Sequence, residues 1–242
     1  MIRSNPNHPT FLFDNLPINW LMSRGEKYTF VSLLEAANPD VAIEIGTYEG
    51  GSLQILSKKA KKVFSLDIAS NCDQTPFDNV EFLIGDSKQL LPSLLDKISN
   101  NKESLGFILI DGDHSTEGVR ADINSVLKYV PIRPLYIVFH DSFHPACREG
   151  IIAADWQQCE HVHLVEIDFL PGIYIHEAVG HAQPRSMWGG FSLALMLPEK
   201  RTHELIIHQS NKGLFDVLVP HSVHAVGPLR KILRKIKRKL IR

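Results

Sequence analysis

The chain has 242 residues, 44% of them hydrophobic and 22% charged, with a formal net charge of -1. That balance excludes a disordered or fibrous protein and leaves room for a sizeable core in one α/β domain with additions. Three cysteines (Cys72, Cys147, Cys159) without C-x-x-C spacing point to neither a disulfide framework nor a zinc site. No secretory h-region or transmembrane-length apolar run is present, so a reducing, cytoplasmic setting is expected.

The first 25 residues are polar and then aromatic, and Gly25 to Ala37 reads as a helix stopped by Asn38-Pro39. Residues 1–40 are expected to form a helical cap segment packed over the domain that follows. Val41 to Ile45 is a short apolar strand. Gly46, Gly50 and Gly51 follow, then a helix over Ser52 to Ala60. A strand, glycine turn and helix in an open α/β sheet place a ligand at the strand's carboxyl end, near free helix N–H groups. The spacing here is Glu44-x-Gly46-x-x-x-Gly50, not the G-x-G-x-x-G of dinucleotide enzymes. A carboxylate at that place disfavours a pyrophosphate and suits a cation.

This E-x-G-x-x-x-G stretch resembles the first motif of the class I S-adenosylmethionine-dependent methyltransferases. The resemblance implies a Rossmann-like three-layer α/β sandwich over residues 41–200. Its seven-stranded, mostly parallel sheet would have the order 3-2-1-4-5-7-6, the last strand antiparallel. It also implies cofactor contacts from Glu44, Gly46, Thr47, Tyr48, Gly50 and Ser52.

The second strand, Val63 to Leu66, ends at Asp67, whose carboxylate can accept both hydroxyls of a ribose. Val80 to Ile84 is a third strand before Gly85-Asp86-Ser87. In the family such a turn lies against adenine, which puts Asp86 and Ser87 on the base; the same residues also read as an N-cap for the helix Lys88 to Ile98. A fourth strand begins at Phe107 and ends in Asp111-Gly-Asp113-His114, and the helix Thr116 to Tyr129 follows. Leu135 to Phe139 is a fifth strand closing with His140-Asp141-Ser142. Two neighbouring parallel strands are therefore expected to end in carboxylates, Asp111 and Asp141.

Beyond Phe143, a helix over Glu149 to Gln158 and strands over Val162 to Ile167 and Phe191 to Leu197 are expected. Residues 171–190 read as irregular, and 202–226 carry no clear pattern. His176-Glu177 and Gly180-His181 imitate a zinc-protease motif, but the two histidines are five apart rather than four.

The run IDGDH followed by FHD resembles the metal-assisted branch of the class I methyltransferases, which includes the macrolide-sugar and the catechol and caffeoyl-coenzyme A O-methyltransferases. The resemblance implies a divalent ion, magnesium in most relatives, on Asp111 and Asp141. It puts His140 at a third ligand position that is acidic in some relatives, a donor leaning toward manganese, iron or zinc. A hydroxyl is a poor nucleophile near neutrality, and a bound cation lowers its pKa. His114, three residues after Asp111, is the expected base. Asp113 reads as a cap. The expected reaction is O-methylation of a small-molecule hydroxyl, on a sugar, a glycan-pathway intermediate or a secondary metabolite. Two alternatives share the fold: a cephalosporin-hydroxylase-like metalloenzyme using His140-Asp141 with Asp111, and a non-catalytic nucleoside-binding docking protein.

Residues 201–242 read as a C-terminal extension. From Leu229 onward there are eight basic residues and no acidic one, which leaves a net charge of -9 on the rest. Leu229, Ile232, Leu233, Ile236 and Leu240 recur at helical spacing. Packing on the acidic body or on a second subunit is one expectation for residues 228–242, peripheral membrane contact another, and nucleic-acid binding the weakest.

Overall fold

A computed structural model describes residues 16–177 and 183–225. The basic segment 228–242, Phe11 and Phe13, and Gly180 and His181 of the protease-like run lie outside the described residues.

The elements alternate as the sequence predicts. They are α1 (Arg24–Ala37), β1 (Val41–Ile45), α2 (Leu53–Lys59), β2 (Lys62–Asp67), β3 (Val80–Ile84), α3 (Ser87–Asn100), β4 (Leu105–Ile110), α4 (Thr116–Val126), β5 (Leu135–His140), α5 (Pro145–Ile152), β6 (Val162–Leu170), β7 (Ile173–Ile175), β8 (Ser186–Trp188), β9 (Phe191–Met196), β10 (Ile207–His208) and α6 (Lys212–Leu218). The main sheet has the order β10-β6-β9-β5-β4-β1-β2-β3, parallel except for β9, which runs antiparallel to β5 and β6. From β3 to β6 this is the expected 3-2-1-4-5-7-6. Among the described residues the main sheet has eight strands rather than seven, because β10 adds a parallel edge on β6. A two-residue strand is too short for any periodicity to reveal it.

Two corrections concern the second half. The helix expected from Glu149 starts instead at Pro145, whose ring pre-sets a first helical turn, and a separate short turn covers Trp156–Gln158. The stretch 171–190 contains the β7–β8 hairpin, with Ile173 opposite Trp188.

The central strands are buried on both faces, so their side chains split by parity between two cores. In β1, Val41, Ile43 and Ile45 join α3, α4 and α5 through Leu91, Leu95, Val119, Ile123 and Ile151. Ala42 faces α1 and α2, with Phe30, Leu34, Leu53 and Leu56. Trp20 and Phe30, then Phe30 and Phe107, pack edge to face at 5.6 Å and seat α1 on the sheet. A buried, bidentate Arg148–Asp168 pair ties α5 to β6. The strand order reverses between β1 and β4, which opens a crevice at their carboxyl ends. There Ile45 lies opposite Ile110, and Ile110 opposite Phe139, so Gly46, Asp111 and His140 arrive at one level.

Candidate functional site

The glycine turn after β1 is stitched into the crevice. Gly46 N–H donates to Leu66 O at 2.8 Å, and Asp111 N–H donates to Ile45 O at 2.8 Å. Gly46 has φ +91°, and a Cβ there would collide with the Asp111 carbonyl oxygen, so only glycine fits. Tyr48 also sits at positive φ, +49°, and is exposed. Asp67 holds the turn: its carboxylate accepts from the N–H groups of Thr47 (2.9 Å), Tyr48 (2.7 Å) and Ala69 (3.0 Å). Thr47, Asp67 and Ile84 line one cleft with Ser65, Ala69, Cys72 and Phe82. Ile84 presents an exposed apolar side chain to it, alongside the partly buried Phe82 ring. A carboxylate between a glycine turn and apolar flanks suits a nucleoside.

Glu44 is fully buried beneath the turn and accepts from Ser52 Oγ at 2.5 Å. Its other oxygen has no hydrogen-bond partner among the described residues. Burial, with Asp111 and Asp67 adding to it and Ser52 opposing, pushes its carboxyl up to about 8. An orphaned, buried carboxyl oxygen is what a cationic amino group would satisfy. Apo stability follows from the sign. Unfolded chains release this proton near 4.5 and the folded state keeps it to about 8, so stability falls as pH rises across that window. The wild type is expected to lose up to about 1.4 kcal/mol per pH unit there relative to Glu44→Gln. Tm measured against pH for both proteins checks this; parallel profiles would contradict it.

Asp86 is the N-cap of α3 and accepts from Lys88 N–H at 3.0 Å. The Ser87 hydroxyl donates to the buried Asp122 at 2.7 Å, so its backbone N–H is what remains for a ligand. Asp113 is not the cap of α4: that position is held by Ser115, and Asp113 accepts from the Ser115 N–H at 2.8 Å and from its hydroxyl at 2.9 Å.

The charged ends of β4 and β5 meet beside this cleft. Ligand atoms of Asp111, His114 and Asp141 lie within 4.8 Å of one another. His114 Nε2 is 2.9 Å from Asp141 Oδ2 and 3.5 Å from Asp111 Oδ1. Hydrogen bonds to Asp111 and then Asp141 raise the His114 imidazole to about 10. Burial works against ionising Asp111 and Asp141, but the His140 charge overrides it and both carboxyls are lowered. Asp141 has φ +56° and accepts from Gly189 N–H. Backbone held in that region by its surroundings is a mark of functional sites.

His140 is placed differently from the other three. Its Nδ1 is 3.0 Å from Asp111 Oδ1, and its Nε2 is 3.0 Å from Glu26 Oε1. Glu26 is buried in the first turn of α1, and sequence reasoning missed it. Its one local signal is the Ser23-x-x-Glu26 capping box, which reads as structure rather than site. Burial raises the Glu26 carboxyl, but His140 outweighs it and brings it to about 2. Over the cluster stands an aromatic wall: Trp188 stacks on His144 at 4.6 Å and meets His114 edge-on at 5.8 Å, while His224 packs on His144 at 4.6 Å.

Among the described residues, no helix is long and apolar enough to cross a membrane. A sequence profile of the family described as "Methyltransferase domain" matches residues 43–142. An uncharacterized protein, R132 of Acanthamoeba polyphaga mimivirus, is 33% identical over 114 residues, which cover 41% of this chain and 50% of that protein. The chain thus spans about half the length of that curated relative. The crystal structure of cofactor-bound Rv0187 from MTB superposes with a TM-score of 0.52 at 18% identity, covering 76% of this chain and 85% of that one. An O-methyltransferase from Bacillus cereus, in complex with SAH, has a TM-score of 0.48 at 18% identity, over 72% of this chain and 82% of that one. The match over residues 43–142 spans the glycine turn, Asp67, Asp111, His114 and Asp141, so the likeness to a methyltransferase domain falls on the candidate site itself.

Proposed function

We propose that the protein transfers the methyl group of S-adenosylmethionine to a hydroxyl of a small-molecule acceptor, with a divalent cation held by Asp111, His114 and Asp141. The convergence of those three side chains beside the glycine turn carries the reading. When bound, the cofactor supplies an electrophilic methyl on a sulfonium, and the cation supplies charge that lowers a hydroxyl's pKa.

The chain's own part is placement. Glu44 offers its unpartnered oxygen to the cofactor's cationic end, while Asp67 keeps the turn in shape and faces the ribose. Gly46, Thr47, Tyr48, Gly50 and Ser52 form the bed, and Asp86 with the Ser87 backbone borders the base. Two carboxylates and an imidazole favour manganese or zinc over magnesium. His114 is in this reading a cation donor rather than the base, and the acidified hydroxyl gives its proton to solvent at the exposed rim. The hydroxylase-like alternative needs His140 as a ligand, and both His140 ring nitrogens already face carboxylates.

Calorimetry with S-adenosylhomocysteine, alone, with Mn²⁺ and after chelation, tests both parts. Micromolar binding supports the cofactor site. Folded protein that binds no S-adenosylhomocysteine ends the methyltransferase reading, and binding without any Mn²⁺ affinity removes the cation.

The last of the described residues lie beside this site: Val223 N–H donates to Arg185 O at 2.7 Å, and His224 joins the aromatic wall. The cationic segment follows directly in the sequence and docks the enzyme, in this reading, on an anionic lipid surface at about 1 kcal/mol per basic residue. Co-sedimentation with phosphatidylserine vesicles, but not with phosphatidylcholine alone, is expected, and deleting residues 228–242 abolishes it. Equal sedimentation of the truncated protein would refute the docking role.

A further inference from the structure

We infer that Glu26 is a positioning residue for the reaction, acting through His140 on Asp111 and through Gly190 on the loop that also binds Asp141. The inference rests on the cation site proposed above, and it concerns a residue on a helix outside the matched domain.

Four contacts converge on this one residue. Oε1 lies 3.0 Å from His140 Nε2 and accepts from Gly190 N–H at 2.7 Å. Oε2 accepts from Ser23 N–H at 2.6 Å, and the Ser23 hydroxyl in turn accepts from Glu26 N–H. A helix cap needs only the Ser23 half of this arrangement. The Oε1 half reaches past the helix into the crevice. With a carboxylate 3.0 Å from each ring nitrogen, the His140 ring is held in orientation, Nδ1 toward Asp111 Oδ1 and Nε2 toward Glu26 Oε1. Outer partners that orient a cation's ligands commonly change affinity or activity by about 10–100-fold when removed.

Gly190 adds a second arm. Gly189 N–H donates to Asp141, and Gly190 N–H donates to Glu26, so consecutive amides at the end of β8 bridge the two carboxylates. Both glycines sit at positive φ, +73° and +80°, and a Cβ on Gly189 would meet Glu26 Oε1 at 2.7 Å. The turn is shaped around Glu26. Position 26 therefore sets where Asp111 and Asp141 stand relative to each other.

Mn²⁺ titration followed by electron paramagnetic resonance, beside S-adenosylhomocysteine calorimetry, separates positioning from mere folding. Glu26→Gln is expected to weaken Mn²⁺ binding about 10–100-fold and to leave S-adenosylhomocysteine binding unchanged, because no residue of the 44–52 turn bonds to Glu26. Ser23→Ala, which removes the hydroxyl's cap bond and spares Oε1, keeps wild-type Mn²⁺ affinity. Combining Glu26→Gln with His140→Gln adds little to His140→Gln alone if Glu26 works through that ring. Equal loss in Ser23→Ala, or full additivity in the double variant, would overturn the inference. Wild-type Mn²⁺ affinity in a folded Glu26→Gln protein would overturn it too. If Glu26→Gln does not fold, the Ser23→Ala and His140→Gln titrations decide: His140→Gln with undiminished Mn²⁺ affinity overturns it. A wild type that binds S-adenosylhomocysteine but no Mn²⁺ removes the cation reading itself, and this inference with it.

Discussion

Asp141→Asn is expected to weaken Mn²⁺ binding by more than about 100-fold, since losing even an outer partner of a ligand costs about 10–100-fold. The substitution is chosen for what it preserves. Asparagine tolerates the positive φ of +56° that this position adopts. Its amide oxygen still accepts the Gly189 N–H that Asp141 holds. What goes is the charge facing His114 Nε2 at 2.9 Å and His140 Nδ1 at 3.7 Å. Asp67 and the glycine turn have no bond to Asp141, so S-adenosylhomocysteine affinity should be nearly unchanged. Methyl transfer, once an acceptor is found, should fall in step with cation occupancy and recover in part at high Mn²⁺. An Asp141→Asn protein with undiminished Mn²⁺ affinity would place the cation elsewhere or nowhere. Loss of S-adenosylhomocysteine binding as well would show that Asp141 holds the whole crevice in shape.

Gly46→Ala should do the reverse and strike the cofactor first. Its Cβ would collide with Asp111 O and come 2.8 Å from Gly112 Cα, both backbone, at a φ of +91° that alanine avoids. Neither atom can swing aside as a side chain would. The β1 turn must lift from the end of β4, breaking the register that delivers Gly46 and Asp111 to one level. Left-handed strain and overpacking together cost about 2–5 kcal/mol of stability. S-adenosylhomocysteine binding should weaken by more than about 100-fold, equivalent to about 2.7 kcal/mol. Gly25→Ala is the matched control. A Cβ there meets nothing within 4 Å, in the first turn of α1, and the change should be neutral or stabilising by about 0.4–1 kcal/mol. Thermal melts and calorimetry on both variants check the pair. A Gly46→Ala protein with wild-type Tm and wild-type affinity would remove this turn from the cofactor site.

Both positions are legible in the chain itself. Gly46 announces itself because its neighbours already form a strand, a glycine run and a helix start. Asp111 and Asp141 are visible in a similar way. Each ends an apolar run of strand length, and parallel connections bring such ends to one edge of a sheet. The side of the sheet carrying the site follows from that local pattern, while the strand order came from the family resemblance. Several details do not. The β10 edge is two residues long, and β7–β8 is a hairpin of three-residue strands, both below the length at which alternation is readable.

The sequence by itself determined the strand and helix alternation, the glycine turn after β1 and the two strand-end carboxylates, because each is encoded by residues close together in the chain. The partners of those groups were decided by tertiary structure alone. Glu26 meets His140 across 114 positions and Gly190 across 164, and in the sequence it is an ordinary capping glutamate. The two ring nitrogens of His140 could have faced an ion, and they face two carboxylates instead. His114, expected as a base, stands between Asp111 and Asp141. Side-chain encounters between distant elements leave no period in the chain, since they depend on where helices settle against the sheet, and that is set by the packing of Trp20, Phe30 and Phe107.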